Sequence, residues 1–282
     1  MVSIREVPRS VKLLVGVWSG VLVVAVALAS AWLVRSPGMN EPVAVENPSE
    51  SELQIAGKTT VLFGHQSVGM NILDGVAGVY AAADVDAPAV EEVAGSSDAT
   101  FRHVFVGRNG DPLGKFDSFA AVMGGPAGEE VDVALMKLCY VDINATTDVE
   151  AVFDAYVAMM AEVEDAHPST TFLYTTAALT SDRNLKGRVK SALGRGDRMG
   201  PADNVARERY NAMIREKYAA TGRLVDIAAA ESAGTDKRSH DGNAYYVLNK
   251  NLTFDRGHLN EAGSRAVASE LLKAVAAHSP VA

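Results

Sequence analysis

From Thr59 to Ala277, short apolar runs alternate with longer amphipathic ones, and this alternation constrains the fold more than any other feature. Its clearest unit comes first. In Thr59–Gly69 (TTVLFGHQSVG) the residues Thr60, Val61, Leu62 and Phe63 run into Gly64, and His65, Gln66, Ser67 and a second glycine, Gly69, follow. Beyond them Met70, Ile72, Leu73, Val76, Val79 and Tyr80 recur at helical spacing. The pattern predicts a buried strand, a tight turn and a helix, with a serine at the turn. A serine there stands at the carboxyl end of a strand and the amino end of a helix, where backbone N–H groups are available to a developing anion. The competing reading is that Ser67 only caps the helix, since serine is a favoured N-cap.

The rest of the chain repeats the alternation. Phe101–Val106 predicts a second strand, ending in the turn formers Gly107–Pro112, and a short helix is expected over Phe116–Met123. Val131–Leu138 is mostly apolar, as expected of a central strand in a parallel sheet. Thr147–His167 carries Val149, Val152, Phe153, Tyr156, Met159, Met160 and Val163 on one helical face and stops at Pro168. Thr171–Thr176 is a fourth strand, Ala202–Ala220 a long helix with Gly222 as its C-cap, and Arg223–Ile227 a short fifth strand. Asn260 caps a closing helix that runs to Ala277. The expected fold is α/β: a three-layer α/β/α sandwich around a mainly parallel five-stranded sheet, formed by residues 58–282 as one domain. The long polar stretches Ser181–Pro201 and Ala228–Phe254 are expected as surface insertions near the site.

Leu13–Val34 is 22 residues without a charge. As a helix it would be about 33 Å long, enough to cross a bilayer. Arg5, Arg9 and Lys12 precede it, so residues 1–12 are expected in the cytoplasm and the large domain outside, on an uncleaved anchor over 13–34. A cleaved signal peptide is the rival, because Ala27-Leu28-Ala29 forms a small-residue site. Residues 35–57, rich in proline and glutamate, are expected as a flexible tether. The formal charge is −9. Without residues 1–35, which hold four basic side chains and one acid, 22 basic residues face 34 acidic ones, giving −12. A domain that acidic is ill suited to nucleic acid or anionic lipid. The single cysteine, Cys139, rules out an intrachain disulfide. No spacing among His65, His103 and His240 supports a metal site, and no phosphate-binding loop is present, so neither metal nor cofactor is expected.

The chemistry concentrates near the C-terminus, in Asp255-Arg256-Gly257-His258. An Asp three residues before a His can fold back, accept the imidazole Nδ1–H, and leave the other nitrogen to take a proton from a hydroxyl. Alternatively, Asp255 caps a turn and His258 bonds a carbonyl. An open parallel sheet builds its sites at the carboxyl ends of its strands. The turn carrying Ser67 and the segment before the last helix both belong there. With this pairing the chain resembles the SGNH (GDSL-like) hydrolase superfamily over about residues 58–277. The stretch Tyr210–Ile214, leading to Leu224–Ile227, adds to the likeness.

The resemblance implies a flavodoxin-like fold and a serine esterase or deacetylase acting on a small-molecule or carbohydrate ester. An envelope polysaccharide acyltransferase and a non-catalytic carbohydrate-binding protein are the alternatives. It also implies Ser67 as nucleophile, His258 as base and Asp255 as its partner. Ser67 and Gly110 would supply the oxyanion hole, with Gly107 as rival for the second place. His65, Asn109, Tyr140 and Asp142 would line the site. Where the family has Gly-x-Asn-Asp, this chain reads Cys139-Tyr140-Val141-Asp142, and a valine cannot donate the hydrogen bond the family's Asn gives. Asn109, Asn144 or the Tyr140 hydroxyl is expected to stand in. His65 is expected as a site-lining or turn-fixing residue rather than the base, and Lys137 as a surface residue, one that reaches toward the site, or a partner of Asp142. The α/β-hydrolase elbow Gly-x-Ser-x-Gly is not met, because Gly64 comes one residue too early.

Overall fold

Five successive residues, Val61–His65, form strand β1, and all five are buried. Side chains alternate across a strand, so the strand serves two cores. Val61 and Phe63 face one cluster, with Val76, Leu271 and Val275, while Leu62 faces the other, with Phe119, Tyr156 and Phe172. A strand buried on both faces must lie inside a layered α/β fold. The computed structural model describes residues 46–93, 97, 99–183, 187, 189, 193 and 198–281.

The elements in order are α1 (Glu50–Ala56), β1, α2 (Ser67–Ala82), β2 (Val90–Glu92), β3 (Phe101–Phe105), α3 (Pro112–Met123), β4 (Val133–Met136), α4 (Val149–Ala166), β5 (Thr171–Thr175), α5 (Pro201–Tyr218), β6 (Leu224–Val225), α6 (Ile227–Ser232), β7 (Arg238–His240), β8 (Asn243–Tyr245) and α7 (Glu261–Ala277). Among the described residues the main sheet has six strands, in the order β2-β3-β1-β4-β5-β6, and every pairing in it is parallel. Without β2 this is the 2-1-3-4-5 order of flavodoxin-like folds, whose sites lie beside the first strand. Helices α1, α2, α6 and α7 share one core, and α3, α4 and α5 the other. Helices α2 and α7 meet backbone to backbone at Gly75, where a Cβ would stand 2.3 Å from the Ser264 carbonyl oxygen.

Three expectations are corrected here. The sheet has six strands rather than five. The extra one, β2, is three residues long, lies at the edge and is mostly exposed, so no apolar alternation marks it. Residues 50–56, inside the stretch read as tether, form α1, with Leu53 fully buried. Its signal is a capping box: Ser49 accepts from the Glu52 N–H, and the Glu52 carboxylate accepts from Ser49. The stretch 228–254 is not a surface insertion, because it contains most of α6, the β7–β8 hairpin and the buried Tyr245, Val247, Leu248 and Leu252. The anchor read over 13–34, and the tether up to residue 45, lie outside the described residues. Among the described residues no helix is long and apolar enough to cross a membrane.

Helix α6 buries one acid completely. Glu231 Oε2 accepts from the Leu179 N–H at 2.5 Å, while Oε1 meets no partner among the described residues. Burial pushes its carboxyl up to about 8, against the opposing pull of the Leu179 N–H and the Lys137 and Arg207 charges. The folded chain therefore holds a proton that the unfolded chain releases near its ordinary value of 4.5. Stability from this group is full below that value and is lost as pH rises toward 8. Glu231→Gln keeps an acceptor for Leu179 and removes the titration. Thermal melts are expected to show the variant gaining on the wild type from pH 5 to pH 8; an unchanging offset contradicts this.

Candidate active site

The Ser67 side chain does not cap its helix. Gln66 occupies the N-cap position in extended backbone, without a side-chain cap, and Ser67 is the first helical residue. Its hydroxyl instead reaches across the sheet end, with Oγ 3.1 Å from His258 Nε2. As the first residue of α2, Ser67 has a backbone N–H with no intrahelical acceptor, and none meets it among the described residues. Gln66 ties this turn to the neighbouring loop, donating from Nε2 to the carbonyls of Val106 at 3.1 Å and Gly107 at 3.0 Å.

The His258 segment is a turn closed on itself. Thr253 Oγ1 donates to the His258 carbonyl at 2.5 Å and accepts from the Arg256 N–H at 2.9 Å. Asp255 Oδ1 accepts from the backbone N–H groups of Gly257 and His258, at 3.0 and 2.7 Å. Its Oδ2 lies 2.7 Å from His258 Nδ1. An ionised carboxylate only accepts, so Nδ1 carries the proton, and in the neutral ring Nε2 offers a lone pair to the Ser67 hydroxyl. Burial alone would raise the Asp255 carboxyl, but the His258 and Gly257 hydrogen bonds outweigh it and hold it below the usual carboxylate range. The imidazole sits between two rings: Tyr140 edge-on at 6.0 Å and Phe254 stacked at 5.9 Å. Position 257 admits no side chain, because a Cβ there would stand 2.7 Å from the Tyr140 ring.

On the other side of Ser67 the expected oxyanion donor is occupied. The Gly110 N–H donates to Asp142 Oδ1 at 2.7 Å, so it serves a buried carboxylate and does not point into a vacant hole. Asp142 Oδ2 accepts from Lys115 Nζ and from the Cys139 N–H, both at 2.6 Å. The Lys115 and Asp142 side chains are both fully buried. Lys115 Nζ also donates to Asn109 Oδ1 at 2.9 Å, which turns the Asn109 amide nitrogen away from the pair. Lys137 is neither exposed nor paired with Asp142: it is fully buried, with Nζ 3.2 Å from Cys139 Sγ. Among the described residues no group of three or more His, Cys, Asp or Glu side chains is gathered to hold a metal ion.

No family model matches the sequence, and no curated protein matches it either. Several solved structures are similar to it in three dimensions. One is a Streptococcus pneumonia protein provisionally assigned as a platelet activating factor, with 17% identity and TM-score 0.47, covering 88% of this chain and 97% of that one. A carbohydrate esterase family 3 protein from Talaromyces cellulolyticus has 13% identity and TM-score 0.45, covering 76% and 93%. The periplasmic domain of a lipopolysaccharide acetyltransferase from Salmonella ser. Paratyphi A has 12% identity and TM-score 0.43, covering 76% and 82%. The resemblance to the SGNH superfamily stands as a resemblance.

Of the residues singled out from the SGNH resemblance, Ser67, His258 and Asp255 come together, and Tyr140 packs on the His258 ring. Asn109, Gly110 and Asp142 form one supporting cluster beside them. His65 lines no cleft. It is fully buried, with Nδ1–H donating to the Gln66 carbonyl at 2.9 Å and Nε2 accepting from His103 Nδ1 at 3.1 Å. Burial pushes its pKa down to about 3, and both nitrogens are engaged, so it cannot serve Ser67 as a base. Sequence reasoning missed the buried Lys115 and the amide clamp of Gln66. Nothing in a linear pattern marks a lysine or an arginine for burial.

Proposed function

We propose that this protein is a serine hydrolase of the SGNH type that cleaves carboxylic esters of alcohols through Ser67, His258 and Asp255. Ser67 Oγ attacks the acyl carbonyl while His258 Nε2 takes its proton, and Asp255 steadies the resulting imidazolium. The carbonyl oxygen becomes an oxyanion facing the Ser67 N–H. As the tetrahedral adduct collapses, His258 returns the proton to the departing alkoxide and an acyl-serine remains. A water then gives its proton to His258 and attacks the acyl carbon, releasing the carboxylic acid and restoring the Ser67 hydroxyl.

The observation that carries this reading is the unbroken hydrogen-bonded line from Ser67 Oγ through His258 to Asp255, which joins positions 191 residues apart. A chance contact would not also fix the imidazole tautomer that a base requires. The alcohol class to try first is a sugar acetate, assayed beside p-nitrophenyl acetate. A fluorophosphonate probe is expected to label the wild-type chain at Ser67 alone. His258→Ala is expected to lose that labelling, because the hydroxyl is then no longer activated. Equal labelling of Ser67→Ala, or no labelling of the wild type, would end this reading.

A further inference from the structure

The hydrolase reading leaves the oxyanion short of donors. Val141 has no side-chain donor where the SGNH pattern has an Asn, and the Gly110 N–H is spent on Asp142. Of the two backbone donors that the resemblance names, only the Ser67 N–H remains, and an enzyme of this kind relies on several donors aimed at the developing charge.

Arg198 bridges the two loops that flank the strand leading to Ser67. Its Nη1 donates to the Val141 carbonyl at 3.2 Å, and the same nitrogen lies 3.0 Å from where a Cβ on Gly110 would be. Gly110 lies in the loop after β3, and Val141 in the loop after β4. Strand β1, which leads to Ser67, lies between those two in the sheet. A group touching both flanking loops therefore stands at the end of the sheet from which Ser67 emerges. A guanidinium has five N–H donors. Apart from the bond to Val141, those of Arg198 meet no acceptor among the described residues.

The segment is also held in place. Arg198 has a positive φ of 54°, a conformation a non-glycine residue keeps only where its surroundings enforce it. Arg207 Nη2 donates to the Arg198 carbonyl while its Nε donates to the Tyr140 carbonyl at 2.8 Å, tying this backbone to the loop after β4. Arg207 is fully buried, so this anchor is rigid. One residue on, the Met199 methyl packs at Gly257, beside the His258 turn.

We infer that Arg198 is a catalytic residue that supplies the missing oxyanion donor in place of the family's Asn. The inference rests on the hydrolase reading and deepens it. A guanidinium fits this task because a charged donor bonds an oxyanion more strongly than a neutral amide does.

The test is steady-state hydrolysis of p-nitrophenyl acetate by the full chain and five variants: Ser67→Ala, Asn109→Ala, Arg198→Ala, Arg198→Lys and Arg198→Ala with Val141→Asn. Removing one oxyanion donor costs about 100–1,000-fold in kcat, and Arg198→Ala is expected to show that loss with KM nearly unchanged. Arg198→Lys, which keeps the charge, is expected to fall between that variant and the wild type. Val141→Asn in the alanine background restores the family's donor and is expected to recover about tenfold or more. A loss without that recovery marks the effect as structural and overturns the assignment. A change confined to KM, or a wild-type kcat in Arg198→Ala while Ser67→Ala is inactive, overturns it too and leaves the hydrolase reading standing. An equivalent loss in Asn109→Ala with Arg198→Ala unaffected gives the role to Asn109. Wild-type turnover in Ser67→Ala removes both the hydrolase reading and the role of Arg198.

Discussion

Replacing Ser67 with alanine is expected to lower kcat for ester hydrolysis by about 10⁴-fold or more, because the members of such a triad act as a unit. The same variant is expected to melt within about 0.5 kcal/mol of the wild type, as substitutions away from stabilising features do. The second expectation follows from the helix start. Ser67 gives no cap to α2, and its side-chain bond goes to His258. A serine that merely capped the helix would behave in the opposite way. Its loss would cost about 1 kcal/mol of stability and leave chemistry untouched. One variant with two measurements therefore separates the two readings. Stability lost with turnover intact returns Ser67 to a capping role. Turnover lost with the melt unchanged assigns it to catalysis.

How much of this was legible in the sequence depended on whether a residue's role is local. The strand–turn–helix at Thr59–Gly69 was readable because apolar runs and helical spacing are properties of neighbouring residues. The closing cap was equally local: Asn260 accepts from the Gly263 N–H at 3.0 Å, within one turn. Asp255 and His258 were legible as a pair for the same reason, while their meeting with Ser67 could be inferred only from where a parallel sheet gathers its strand ends. The polar supports were not legible. Lys115 sits on a helix among Phe116, Phe119 and Met123, where its spacing fits an exposed residue as well as a buried one. Its burial is fixed by an aspartate 27 positions later, and no linear pattern encodes that partner. Gly110 looked like an oxyanion donor because its loop follows the second predicted strand, yet the direction of one N–H depends on the Asp142 carboxylate beside it. The role of Gln66 showed only when its amide was seen clamping the Val106 and Gly107 carbonyls.

The largest stability effect is expected from Lys115→Ala. In the wild type the Lys115 ammonium and the Asp142 carboxylate are fully buried 2.6 Å apart. Removing the lysine leaves a carboxylate in the core with only the N–H groups of Gly110 and Cys139 to hold its charge. Breaking a buried pair in this way costs about 3–5 kcal/mol. That is a large fraction of the roughly 5–15 kcal/mol that holds a domain folded. Urea titration followed by circular dichroism should show the midpoint falling accordingly, and a shift worth under about 1 kcal/mol contradicts the proposed weight of the pair. Cavity formation is the competing cause, and Lys115→Met controls for it by keeping most of the volume while removing the charge. Adding Asp142→Asn to Lys115→Met takes away the stranded charge and is expected to recover part of the loss. Full recovery is not expected, because one amide oxygen cannot replace two carboxylate oxygens that accept from both Gly110 and Cys139. Those two N–H groups belong to the loops on either side of Ser67, so the ion pair fixes the spacing of the site as well as the fold. A Lys115→Met chain that still folds is therefore expected to lose turnover beyond what its melting point alone accounts for.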